Sequence, residues 1–162
     1  MVEKNSSYLK DEAILKKILS TIVNSTAGLK HAIIIDESGI TILSHSKFAF
    51  AKDNEISVEK IGAIGGAVYT AGEEQGQILG YGNMNLQITE YSNGMIYSVR
   101  AGKGVLVVAT DLNVQIGYIR AILKKWAPQI AKVLNRHLIR SGKEIISEDL
   151  KGLYSSDTSS PT

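Results

Sequence analysis

The sequence predicts an α/β chain of the α+β kind, a five-stranded antiparallel sheet with helices packed against it. Hydrophobic spacing alternates in the order helix, two strands, helix, three strands, helix. The strands within each group are joined by short glycine-bearing turns, which suit antiparallel hairpins. The chain has 162 residues, enough for one domain with a real core, and contains no internal repeat.

The first helix is expected over residues 8–24, where Leu15, Ile18, Leu19, Ile22 and Val23 recur at helical spacing. Gly28 follows where a helix stop belongs. "KHAIIID" (30–36) and "GITILSHS" (39–46) read as strands rich in β-branched residues, with Asp36 to Gly39 as their hairpin turn. Residues 47–56 form a loop carrying Phe48 and Phe50. Ser57 is the expected N-cap of a second helix, with Glu59 in its first turn, where the helix dipole favours an acid. "MNLQITEY" (84–91), "MIYSVRA" (95–101) and "GVLVVATD" (104–111) are the remaining strands, joined through "SNG" and "GKG". An amphipathic helix runs from Val114 to about Leu138, and Pro128 is expected to kink it. The closing "SSDTSSPT" is a polar tail expected to be disordered.

Composition excludes several classes. With no cysteine, the chain has no disulfide, thiolate nucleophile or cysteine-bound zinc. A net charge of +2 leaves the whole-chain balance uninformative about partners. The charged opening "MVEKNSSYLK" has no apolar signal core, lacks the second-position glycine of a myristoylation site, and no apolar run approaches a membrane span. These features lead to the expectation of a cytoplasmic, soluble protein.

The stretch "GAIGGAVYTAG" (62–72) is uncharged, and four of its eleven residues are glycine. It is no phosphate loop, because no Gly-Lys-Ser/Thr occurs. It is no linker, because Val58, Ile61, Gly65, Val68 and Gly72 share one helical stripe, with Ile64, Ala67 and Ala71 continuing the apolar surface. A helix without a polar face is normally buried all round, yet a small domain has nothing to cover its outer side. Four helical glycines cost roughly 3–4 kcal/mol relative to alanine, so close packing must offset them. Either a second copy of the helix packs on it in a twofold dimer, or the glycines admit bulky sheet residues of the same subunit.

The whole pattern resembles the roadblock (dynein light chain) family. The resemblance rests on "LKKILSTIVNSTAGLKHAIIIDESGITILSHS", the small-residue second helix, "LQITEYSNGMIYSVRAGKGVLVVATD" and "NVQIGYIRAILKKWAPQIAKVL", including the Asn113 to Gly117 entry into the last helix. It implies a profilin-like roadblock domain over 8–140 with strand order 2-1-5-4-3, leaving 141–162 as a C-terminal extension. It also implies a dimer that joins third strands and second helices. The interface residues expected on this basis are Ile61, Gly62, Ile64, Gly65, Val68, Tyr69 and Gly72, with Leu86 and Ile88 from the third strand. Members of this family serve as dimeric platforms for Ras-like small GTPases. Some bacterial relatives accelerate GTP hydrolysis by positioning the GTPase's own residues.

No catalytic, metal or cofactor constellation is legible. His31, His45 and His137 lack metal-ligand spacing, and no G-x-S-x-G elbow occurs. The expectation is a protein that is not an enzyme and carries no cofactor. Arg100 and Arg120 are the candidates for an arginine finger supplied to a GTPase, against the plainer reading of surface arginines. Between Leu112 and Lys143 there is no acidic residue, and Arg120, Lys124, Lys125, Lys132, Arg136 and Arg140 fall on one half of the last helix. That half is either a solvated face or a surface for an acidic partner, anionic lipid or nucleic acid. Sparse aromatic residues speak against nucleic acid, and a single anchor speaks against stable membrane binding. Two alternatives to a GTPase regulator are a small-molecule sensor with residues 76–82 as a lid, and a structural or membrane-surface adaptor using the basic helix.

Overall fold

In a computed structural model the elements run α1 (Val2–Val23), β1 (Leu29–Asp36), β2 (Thr41–Ser46), α2 (Val58–Ile78), β3 (Gln87–Tyr91), β4 (Gly94–Ala101), β5 (Gly104–Thr110) and α3 (Ile116–Tyr154). The structure describes residues 2–47 and 58–154. Phe48, Phe50, the Ser57 cap and the 155–162 tail lie outside the described residues.

The strands form one antiparallel sheet in the order β2-β1-β5-β4-β3. Side chains alternate across it. Ala32, Ile34, Tyr97, Leu106 and Val108 face one side, where Leu15, Leu19 and Ile22 of α1 and Ile119, Leu123, Ile130 and Leu134 of α3 complete the main core. Ile33, Ile35, Val105 and Val107 face the other side and meet Tyr69 of α2. The helices therefore form two layers, α1 with α3 on one face and α2 alone on the other.

The expected hairpin turn is built as read. Asp36 Oδ1 accepts bonds from the Ser38 and Ile40 amides at 2.9 Å each, and Gly39 takes a positive φ of 86°. Gly28 has a different role from the helix stop expected of it. The helix already ends at Val23, and a Cβ on Gly28 would collide with Val114. The glycine lets the start of β1 lie against the entry to α3.

Three boundaries differ from the sequence reading, each for a tertiary reason. The first helix begins before residue 8, and its early turns find partners on α3. Tyr8 stacks on His137 at 4.2 Å, and buried Asp11 accepts from Arg136 Nε at 3.0 Å. β3 starts only at Gln87, because Met84 and Leu86 tuck against the two cores instead of pairing. The last helix starts at Ile116 and continues to Tyr154, running through Pro128 as one element. Pro128 is exposed, so the carbonyl deprived of its amide donor faces water.

Candidate protein-protein interface

α2 lies close to the β1–β2 hairpin because its inward side is made of glycine. A Cβ on Gly66 would sit 2.7 Å from the Gly39 backbone, and one on Gly62 would collide with Thr41. A Cβ on Gly72 would meet Met84 and Gln87 at 3.1 Å. Gly62 and Gly66 thus admit residues of the same chain, the plainer of the two explanations for the glycines. Thr41 Oγ1 donates to the Val58 carbonyl at 3.2 Å and ties the helix start to β2.

The outward side of α2 remains uncovered. Ile64 is 65% exposed, Val68 45% and Ile78 84%, and Ala67 and Ala71 complete the small, apolar strip between them. Beside it β3 is an edge strand with one rim unpaired, the usual template for adding another strand.

The expected interface residues separate into groups. Ile64 and Val68 lie on the exposed strip, whereas half-buried Ile61 packs against the second core, Gly65 faces Val107 and Gly72 faces Met84 and Gln87. Gly62 and Tyr69 face the chain's own sheet and are buried. Ile88 pairs with Tyr97, whose side chain lies in the α1/α3 core, so Ile88 is on the sheet face opposite α2; Leu86 also packs against that core. Ala71, read from the sequence as part of the apolar surface, lies on the exposed strip, and Ile78 extends it beyond the residues the sequence picked out; helical spacing from Ile64 through Ala71 to Ile78, every seven residues, was the available signal.

Arg100, one of the finger candidates, is held within the chain. Its guanidinium donates to both Glu73 oxygens, with Nε–Oε1 at 3.2 Å, and to Glu37 at 3.2 Å, and it sits 5.8 Å from the Tyr69 ring centre. The Glu73 hydrogen bonds raise the Arg100 pKa further. Burial, then the Glu73 charge, pushes the Tyr69 phenol up. This cluster pins the C-terminal half of α2 to β4 and to the hairpin. Arg120 is exposed on α3, on the other layer.

The 76–82 segment is a helix stop. Tyr81 N donates to Gly76 O at 2.8 Å and Gly80 N to Gln77 O at 3.0 Å, with Gly80 at a positive φ of 69°, a Schellman arrangement. An open groove of about 510 Å³ lies beside it, lined by Glu73, Glu74, Gln77, Asn83 and Arg100 among others. Among the described residues no group of His, Asp and Glu is placed to hold a metal, and no helix is long and apolar enough to cross a membrane.

On the basic half of α3, Arg120, Lys124, Lys125 and Lys132 are exposed, while Arg136 is engaged by Asp11. The side chain of Arg140 lies outside the described residues. The ion pair subtracts Arg136 from the face that the sequence assembled.

This sheet order, with α2 on one face and α1/α3 on the other, defines a roadblock-type domain by fold. The structure superimposes on the gliding protein MglB of Thermus thermophilus with a TM-score of 0.67, covering 80% of this chain and 92% of that one at 14% identity. It matches a Roadblock/LC7 domain of Streptomyces avermitilis with a TM-score of 0.61, covering 75% and 95% at 16% identity. No family model matches the sequence. Two uncharacterized proteins of Methanocaldococcus jannaschii, MJ0310 and MJ1340, are each 31% identical over 108 residues, 67% of this chain and 90% of theirs. The chain belongs to one family with these two archaeal proteins.

Proposed function

We propose that this chain is a homodimeric scaffold that regulates a Ras-like small GTPase. The observation that carries the reading is the uncovered apolar strip of α2 beside the free edge of β3. A second copy placed on a twofold axis through that edge continues the sheet and covers both strips at once. A solved MglB of the same fold is described in a tetrameric arrangement, so this architecture supports self-assembly elsewhere. The GTPase assignment follows from the resemblance to the roadblock family.

In this reading the chain is not itself an enzyme acting on a small molecule. Any stimulation of hydrolysis comes from positioning the GTPase's own residues, because Arg100 is engaged by Glu73 and Glu37 and Arg120 lies on the α1/α3 layer, away from the α2 strip. Affinity capture from native lysate, run with a non-hydrolysable GTP analogue and with GDP, tests the reading. A small GTPase enriched in one nucleotide condition supports it; none in either condition removes it. Arg100→Ala is expected to leave any stimulation within a few-fold of normal. A loss of about 10³-fold or more establishes a donated finger instead.

A further inference from the structure

We propose that the α1/α3 layer is a docking surface for an anionic lipid bilayer, used peripherally and without insertion. The segment 113–142 carries six cations and no acid. Asp11 neutralises Arg136, yet Arg120, Lys124, Lys125 and Lys132 make no ion pair among the described residues. They spread over about 18 Å of helix at 1.5 Å per residue. Lys10 and Lys17 are exposed on neighbouring α1. Half-buried Trp126, with Lys125 Nζ 5.1 Å from its ring centre, places one amphipathic ring along this helix.

Charge is separated across the sheet. Glu37, Glu59, Glu73 and Glu74 belong to α2 and to the hairpin it covers, opposite the free cations; Arg100 engages Glu37 and Glu73 there and Lys60 adds one further cation, so that side remains net acidic. A flat anionic surface therefore attracts one face and repels the other, which orients the domain. Among the described residues α3 offers two rings, Tyr118, whose hydroxyl is tied to the Ser25 carbonyl, and half-buried Trp126, too few for the run of stacking platforms by which single strands are bound.

Four cations on one copy are a weak anchor. The inference rests on the dimer proposed above, which supplies the second. Joining β3 edges about a twofold axis perpendicular to the sheet puts both α2 helices on one face and both α1/α3 layers on the other. The basic faces then point the same way and engage one surface together. The α2 side stays turned to the interior for a protein partner.

The test uses the full chain with sedimenting vesicles of phosphatidylcholine alone and of phosphatidylcholine with phosphatidylglycerol, with light scattering on the same samples. Binding to the anionic vesicles only, falling as salt is raised, is expected. Each surface cation near such a membrane contributes about fivefold to partitioning, so Lys124→Ala with Lys125→Ala should weaken binding about 25-fold for each copy and about 600-fold for a dimer that engages both faces. Both positions are exposed, and an unchanged dimer mass confirms that this variant folds. A dimer that ignores anionic vesicles, binds neutral ones equally, or keeps its binding in the double variant overturns the inference and leaves the dimer intact. Tighter binding to duplex DNA than to the vesicles also overturns it. A monomeric wild-type chain overturns the dimer and with it the doubled surface.

Discussion

Replacing Ile64 with glutamate is expected to split the dimer while leaving the fold untouched. Fully burying an isoleucine side chain contributes about 1.5–3 kcal/mol. In the single chain Ile64 is 65% exposed, so covering it across the interface recovers roughly two thirds of that, about 1–2 kcal/mol. A twofold interface uses the residue twice, which makes about 2–4 kcal/mol per dimer. Loss of that term alone weakens association by about 30-fold to nearly 1,000-fold, and two carboxylates brought toward the axis add repulsion. Glutamate is a good helix former, so the helix itself is not the target. Because the position faces solvent within one chain, chemical denaturation of the monomer should shift by no more than about 0.5 kcal/mol. Size-exclusion chromatography with light scattering reads the mass, and urea unfolding reads the stability. A wild-type chain that is monomeric at micromolar concentration, or an Ile64→Glu chain that remains a dimer, refutes the reasoning. A large loss of monomer stability shows instead that the residue packs within its own chain.

Gly66→Ala separates the two explanations of the glycine-rich helix. Helix propensity alone favours alanine by about 1 kcal/mol, but the new Cβ would lie 2.7 Å from the Gly39 backbone. The expected result is net destabilisation of about 1–3 kcal/mol in urea unfolding; a stabilised variant would mean that the hairpin is not held there. His31 provides a pH test. Burial, aided by Lys30, holds its pKa below the usual 6.5, so the unfolded chain binds the proton more readily than the folded one. His31 therefore contributes stability above about pH 6.5 that is lost as pH falls through the range below it. His31→Gln should flatten that slope in unfolding curves measured from pH 7.5 to 5, and an unchanged slope removes the assignment.

The order of elements, the Asp36–Gly39 turn and the apolar faces of α1 and α3 were legible in the sequence, because periodicity and turn chemistry act over a few residues; Tyr69, expected at the dimer interface, belongs instead to the second core. Local spacing also identified α2 as a helix with no polar face, which is what makes an uncovered strip inevitable in a small domain. Which side of that helix the glycines serve was not legible. Val58, Ile61, Gly65 and Val68 look like one stripe on a helical projection, yet Val58, Ile61 and Gly65 lie over the second core beside Gly62, Gly66 and Tyr69, while Val68 falls on the exposed strip; it is Gly62 and Gly66 that the hairpin crowds. That choice depends on how closely the β1–β2 hairpin approaches, a contact between positions more than twenty residues apart. The same distance hid the Asp11–Arg136 pair, which takes one cation out of the basic half of α3, and the Glu73–Arg100–Glu37 cluster, which occupies the better-placed arginine. Side-chain types and their helical angles are properties of a segment, and the sequence settles them alone. The partner that neutralises a charge or fills the space beside a glycine is set by the meeting of distant segments, and only the tertiary structure decides it.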